Sequence, residues 1–492
     1  MRAIAKPFIT FVERYYPDPF VFAIGLTFVV FALTLGLTDA GPAESLSAWG
    51  AGLAGLLEFI TQISIVLITG HALAHTDPMR RLLGRVASLP RSPNAAYGLV
   101  TLVAALASLV NWGFGLVVGA LLARQVAMAG RERGLSLHYP LLVASAYAGF
   151  VVWHMGYSSS SALFVATPGH ALEDRVGGVI PVTETIFAPW NIATAVVAVV
   201  AIVVLMPTLR PRGADATFEI PDAAIADYRE TQARMDRELG DGQGDAGYGV
   251  GRGPGSGPAR DRRGTGGPGT DTDVRTHEPE PDLTPAERLD RSRVVSLALG
   301  LALVVYLAYW FGTEGLNLTL DIVNWTFLAL GLLLSRSALH YVKLVTNAAR
   351  TVGQIILQYP LYAGIMGLMI DTGLVSIIAD WFISISTAGT LSFFAFLSGG
   401  IVNFFIPSGG GQWAVQGPIF IEAAQTIGTD PSRVVMGVAY GDQWSNMIQP
   451  FWTIPLLAVA GLHMRRVLGY TFVVFLVTFV VFTGGLLLAG AG

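Results

Sequence analysis

Apolar residues run along this chain in long blocks. Stretches 18–37, 186–208 and 467–490 are mostly hydrophobic, and about 20 such residues in a helix cross a hydrocarbon core of roughly 30 Å. Further spans are predicted near 51–74 and 139–166 in the first part of the chain. In the second part they fall near 294–312, 320–335, 351–370 and 434–462. The pattern predicts an all-α integral membrane protein. Between the parts, 210–293 is polar, and its middle reads GDGQGDAGYGVGRGPGSGPARDRRGTGGPGTDTD. Gly, Pro, Asp and Arg offer nothing to bury, so this is read as a flexible cytoplasmic linker whose flanks form short surface helices. The predicted domains are 1–209, the linker 210–293, and 294–492.

One apolar block contains its own interruption. NFFIPSGGGQW at 403–413 carries a proline and three glycines that break a helix, yet no charge that would mark a surface loop. Composition fits an embedded chain: 53% of the residues are hydrophobic and 13% charged, against about 25% charged in soluble domains. The formal charge of −4 gives no reason to expect nucleic acid as a partner. Without cysteine, disulfides, zinc thiolates and thiol nucleophiles are excluded. The N-terminal MRAIAKPFITFVERYYPDPF lacks a short apolar run ending in small residues and is read as a cytoplasmic lead-in.

The two halves share landmarks. Asn111 and Asn403 are 292 residues apart, and Tyr147 and Tyr440 are 293 apart, which points to a duplication. Basic clusters at Arg80–Arg91, Arg124–Arg133, Arg336–Arg350 and Arg465–Arg466 set the orientation by the positive-inside rule. Residues 97–123 then begin and end on one side. The arm 99–110 is only about 18 Å as a helix, so the segment enters and returns with NWGFG at its tip. By the same logic 390–427 is a second re-entrant hairpin, entering from the opposite side. The halves are thus inverted repeats, the architecture in which secondary transporters hold substrate where broken helices meet.

Polar side chains collect near the tips. The second hairpin supplies Asn403, Ser408, Gln412, Trp413 and Gln416, with backbone amides at Gly409, Gly410 and Gly411 that suit an anion at a helix start. The span after it supplies Asp442, Gln443, Ser445, Asn446 and Gln449. The first half offers Asn111, Trp112, Gly113 and the run Ser158, Ser159, Ser160 and Ser161, where helix packing is as good a reading as binding. Glu58, His71, His154 and Glu422 are read as structural, and Trp444 as a wall or as ordinary packing. The glycine triplet is no phosphate loop, because no Lys-Ser/Thr follows it, and no cofactor is expected. With no Lys or Arg in these segments, amide dipoles plus Asn, Ser and Gln suit a single small monocarboxylate. Asp442 would repel that carboxylate in a low dielectric, so either a proton sits on Asp442 or a cation such as Na⁺ lies between them. Ion coupling follows, with Asp442, Gln443 and Gln449 as its residues. A cation/proton antiporter of the same architecture is the alternative. An aspartyl protease needs two facing aspartates, and the first half has YAG where the second has YGD. No enzyme is expected.

The chain resembles the short-chain fatty acid transporter (AtoE) family of bacterial inner-membrane carriers. The resemblance rests on PDPF at 17–20, ITGHALA at 68–74, VNWGFGLVVGA at 110–120, YPLLVASAY at 139–147 and ATPG at 166–169. Two longer blocks are VNFFIPSGGGQWAVQGP at 402–418 and AYGDQWSNMIQPFW at 439–452. The chain departs from the family's pattern at VVWHMGYSSSS and in its long linker. The resemblance implies ion-driven uptake of monocarboxylates such as acetoacetate or butyrate across the cytoplasmic membrane, and similarity to a wider group of often dimeric anion carriers.

Overall fold

The computed structural model describes residue 14 and residues 17–490, except 171, 212–216, 223–224, 227–228, 231–232, 234–283 and 316–318. The glycine-rich middle of the expected linker therefore lies outside the described residues. The regular elements among the described residues are all helical. The first half runs α1 (Pro19–Leu37), α2 (Pro42–Gly52), α3 (Leu57–Ala74), α4 (Asp77–Ser88), α5 (Pro93–Val110), α6 (Trp112–Glu132) and α7 (Tyr139–Ala148). A 3-10 turn (Gly149–Met155) then leads to α8 (Ser160–Ala166), α9 (Glu173–Val176) and α10 (Pro189–Thr208). The second half runs α11 (Pro285–Asp290), α12 (Arg293–Thr313), α13 (Leu320–Leu334), α14 (Ala338–Ala348), α15 (Gly353–Asp371) and α16 (Leu374–Ser384). It ends with α17 (Leu391–Val402), α18 (Gly409–Ile427), α19 (Pro431–Ser445), α20 (Thr453–Ala460) and α21 (Arg465–Gly490). Six of these helices are long and apolar enough to cross a membrane, which makes this a multi-pass membrane protein.

Three expected spans are not continuous. The span 51–74 is split between α2 and α3, 139–166 unwinds between α7 and α8, and 434–462 unwinds between α19 and α20. Pro450 explains part of the last break, since the residue before a proline is pushed out of helical geometry. The first hairpin arm is also longer than expected. Ser92 accepts from Ala95 N and Pro93 takes the first helical position, a start signal that begins α5 six residues before 99. At 18 residues α5 has the length of a span, so shortness is no argument for its turning back.

The turn is nevertheless there. Asn111 is extended (φ −157°, ψ 133°) and is the one residue between α5 and α6. A Cβ built on Gly119 would lie 3.2 Å from Ala104 Cβ, and one on Gly115 would collide with Ser108. That register makes α5 and α6 an antiparallel hairpin. Glycine permits the close approach because it has no Cβ.

The same omission repeats between the halves. A Cβ on Gly149 would lie 2.5 Å from Ala105 N and 2.7 Å from the Ala104 carbonyl carbon, while one on Gly156 would strike Leu109. In the second half, a Cβ on Gly441 would strike Phe396 O and lie 2.6 Å from Gly400 N, and one on Gly437 would strike Ser392 O. Contacts advance together along both elements, so α5 runs parallel to α7 and its 3-10 turn, and α17 runs parallel to α19. Gly149 and Gly441 are 292 residues apart, as are Ala104 and Phe396, the offset that separates Asn111 from Asn403.

The start of the polar stretch is docked. Tyr139 N donates to Phe218 O at 2.7 Å, and Phe218 N donates to His138 Nδ1 at 3.0 Å. Arg131 donates to Ile220 O at 2.9 Å and pairs with Asp222 at 2.6 Å. The side chain of Ile220 is buried. The expected tether beginning at 210 therefore has 217–222 strapped to the membrane helices, with Ile220 buried and Arg466 of the second half over the Phe218 ring. Burial, together with nearby Arg466, lowers the His138 pKa from 6.5 to about 4. A proton on Nδ1 would abolish the bond from Phe218 N. Because the folded pKa is depressed, the strap is at full strength above pH 6.5 and weakens as pH falls toward 4. Hydrogen exchange of 217–222, corrected for intrinsic rate, should accelerate several-fold from pH 7.5 to pH 5. The His138→Phe variant should exchange fast at both pH values.

Candidate functional site

Four interruptions of helix meet at one place: Asn111, the segment 149–159, the segment 403–408 and the segment 446–452. Side chains stitch them together. Trp112 N donates to Ser158 Oγ at 3.0 Å, joining the first tip to the unwound segment after α7. Asn403 Nδ2 lies 2.7 Å from Asn446 Oδ1, 2.8 Å from Ser445 Oγ and 3.0 Å from Asp442 O. Tyr147 OH donates to Asn446 O at 2.7 Å, and His154 N donates to Gln443 Oε1 at 2.9 Å. The last two bonds cross between the halves. They satisfy backbone and amide groups that lipid could not.

The two tips differ chemically. At the first, Asn111 Oδ1 accepts from Gly113 N and Phe114 N, and Ser158 takes Trp112 N. All three amides of the first turn of α6 are engaged inside the chain. The Asn111 and Ser158 side-chain oxygens and the Trp112 and Gly113 amides, expected at a substrate site, are thus engaged within the chain. At the second tip Ser408 Oγ accepts from Gly411 N, whereas no chain partner is recorded for the amides of Gly409 and Gly410 among the described residues. Gly410 is exposed, and Gly409 is buried. Gln412 Nε2 donates to Gly399 O and Gln416 Oε1, tying α18 to α17. Trp413 packs away from the tip, among Val434, Val435 and Phe420. Trp444 stacks on Phe475 at 3.9 Å and donates to its carbonyl. Gln449 closes a turn by accepting from Phe451 N.

His154, read from the sequence as structural, sits at the centre. Its Nε2 lies 3.3 Å from Asp442 Oδ2, with the two side chains 1% and 2% exposed. Its Nδ1 is 3.1 Å from Ser159 Oγ. A Cβ on Gly409 would be 2.8 Å from His154 Nε2 and 2.9 Å from the Trp153 ring, so α18 starts against this imidazole. Asp442 Oδ1 accepts only a long 3.3 Å bond from Asn446 Nδ2. Beside them lies an aromatic group: Trp112 on Trp452 at 4.8 Å, Phe150 on Trp153 at 5.9 Å, and Trp153 on Trp452 at 6.3 Å. The two tryptophans within the breaks, Trp153 and Trp452, had no signal in sequence beyond their proximity to polar runs. Among the described residues no cluster of three or more His, Asp or Glu could hold a metal ion. The arrangement offers donors for one anionic group next to a titratable acid, with apolar rings for a short tail.

The family model described as short chain fatty acid transporter matches residues 1–241 and 270–489. The chain belongs to the short-chain fatty acid transporter family. A protein of Escherichia coli (strain K12) that carries that name is 36% identical over 485 residues, covering 99% of each chain. Another, from Haemophilus influenzae, is 34% identical over 489 residues, covering 98% of each. Membership places the chain among transporters and not enzymes. Two solved transporters align over most of the chain. MtrF of Neisseria gonorrhoeae, from a class of antimetabolite efflux pumps, covers 97% at 13% identity with a TM-score of 0.36. YdaH of Alcanivorax borkumensis covers 96% at 15% identity with a TM-score of 0.39. Likenesses this distant carry no argument for this family member.

Proposed function

We propose that this chain takes up small monocarboxylates such as butyrate or acetoacetate across the cytoplasmic membrane by coupling them to an ion gradient. The supporting observation is the juxtaposition of the start of α18 at Gly409 with buried Asp442, bridged by His154. A carboxylate fits the helix start. Its charge next to Asp442 requires a compensating H⁺ or Na⁺. The rings of Trp153 and Trp452 suit a short alkyl tail, and the lack of Arg or Lys in the site disfavours multiply charged anions. The shared 292-residue offset of the breaks and of the glycine contacts supports a duplicated architecture. The basic clusters support inverted halves with re-entrant hairpins. The asymmetry of the tips supports substrate at the second and bracing at the first.

The test is uptake of labelled C2 to C6 acids into proteoliposomes under separately imposed Na⁺ and pH gradients. Initial rates are taken after subtracting protein-free vesicles, through which the undissociated acid leaks. Saturable, protein-dependent uptake stimulated by one of the gradients is expected. Protein-dependent rates indifferent to both gradients would sink ion coupling.

A further inference from the structure

His154 Nε2 has two close neighbours. On one side is the Asp442 carboxylate, 3.3 Å from Nε2. On the other is the start of α18, where Gly409 approaches so closely that a Cβ would lie 2.8 Å from the same Nε2. Both Nε2 and Asp442 Oδ2 are buried without a well-aligned hydrogen bond. If neither atom carried a proton, a lone pair on Nε2 would face a carboxylate oxygen in a low dielectric, which is strongly unfavourable. The pair therefore shares at least one proton. Ser159 Oγ, 3.1 Å from Nδ1 and fully buried, can either donate or accept, so both imidazole tautomers and the imidazolium are tolerated.

Other charges are distant or engaged. Tyr147 and Tyr440 donate to Asn446 O and Asn191 Oδ1. On the packed helices, Arg124 is 12 residues beyond Trp112, Glu422 is 13 beyond Gly409, and Arg433 is nine before Asp442. At 1.5 Å per residue these are roughly 18, 20 and 14 Å away along their helices. The α5, α10, α17 and α20 segments contribute no charged side chain.

We propose that His154 and Asp442 form one proton-carrying unit, with His154 exchanging Asp442 for the carboxylate of the substrate held at the α18 amides. This rests on the monocarboxylate reading above and names its coupling ion as H⁺. With Nδ1 protonated toward Ser159 and one further proton shared between Nε2 and Asp442 Oδ2, the substrate-free pair is neutral. Substrate alone would leave the buried site at −1, and a second proton alone would leave it at +1. Substrate with a proton restores neutrality: the added proton completes a neutral Asp442 and an imidazolium, which then pairs with the substrate carboxylate. Only the empty and the doubly loaded forms are electrically neutral, and that enforces one proton per anion.

The experiment is calorimetry of butyrate binding to the purified full chain in buffers of different ionisation heat, which counts protons taken up. The wild-type chain should take up about one proton per butyrate, and wherever it does so its Kd should tighten about tenfold per unit of falling pH. His154→Gln keeps hydrogen-bonding capacity but not the proton. It should weaken binding tenfold or more and abolish both proton uptake and the pH slope, with little change in melting temperature. A merely structural histidine would lower the melting temperature and leave the pH slope intact, which overturns the proposal. So would proton-free butyrate binding by the wild-type chain, a count that needs no variant. Butyrate transport that follows Na⁺ and takes up no proton refutes this inference while leaving monocarboxylate symport standing. No saturable uptake or binding of any C2 to C6 acid refutes both.

Discussion

Replacement of Asp442 by Asn should abolish the response of transport to the ion gradient while the chain still folds. Asp442 is 1% exposed, and its carboxylate receives one long amide bond besides the approach of His154. Asn keeps the size and can still meet Asn446 and His154, and losing one neutral hydrogen bond costs about 0.5–1.5 kcal/mol. The backbone carbonyl of Asp442 still accepts from Asn403. What Asn cannot do is change charge. A one-unit pH gradient carries about 1.4 kcal/mol per proton, so coupled wild-type uptake can run about tenfold uphill. The variant should only equilibrate, with measurable but slower counterflow exchange. Protein-dependent accumulation, counterflow and melting temperature on the same preparation check this. Gradient-driven accumulation at the wild-type level would remove Asp442 from the coupling mechanism.

A second large effect is expected from one methyl group. Gly441→Ala places Cβ against Phe396 O, 2.6 Å from Gly400 N and 2.8 Å from the Gly399 carbonyl carbon. These are backbone atoms of α17, and none can swing aside as a side-chain tip would. Overpacking of this kind costs about 1–3 kcal/mol or more. It should also separate α17 from α19 beside the point where Asn403 reaches Ser445 and Asn446. The melting temperature should fall by several degrees and folded yield should drop, with transport lost. Gly25→Ala in α1, where nothing lies within 4 Å of the added methyl, is the control and should change neither. A Gly441→Ala chain as stable as the wild type would mean that the helices adjust and that their close contact is not required.

Much of this fold was legible in the chain. Hydrocarbon thickness fixes how long an apolar run must be, so runs such as 18–37 and 467–490 announce α1 and α21 without reference to any neighbour. Proline and glycine act on their own backbone, and NFFIPSGGGQW accordingly ended one helix and began another at Gly409. Asn111 and Asn403 marked both tips because short polar side chains favour the ends of helices. The interruption after α7 was not legible. No proline stands between Gly149 and Ser160, and that segment unwinds where it packs on α5 and reaches Gln443 of the other half.

The partnerships were decided only by the tertiary structure. His154 and Gln443 are 289 residues apart in sequence, and nothing local distinguishes a histidine that faces an aspartate from one that fills a core. Both tips carry an asparagine and glycines, yet Ser158 and Asn111 close the first by taking its amides, while Ser408 takes one at the second and leaves Gly409 beside the imidazole. Polar residues near a break predict that buried amides will be satisfied. Which groups satisfy them, and which are left for a substrate, depends on distances between segments that meet only when the two halves pack.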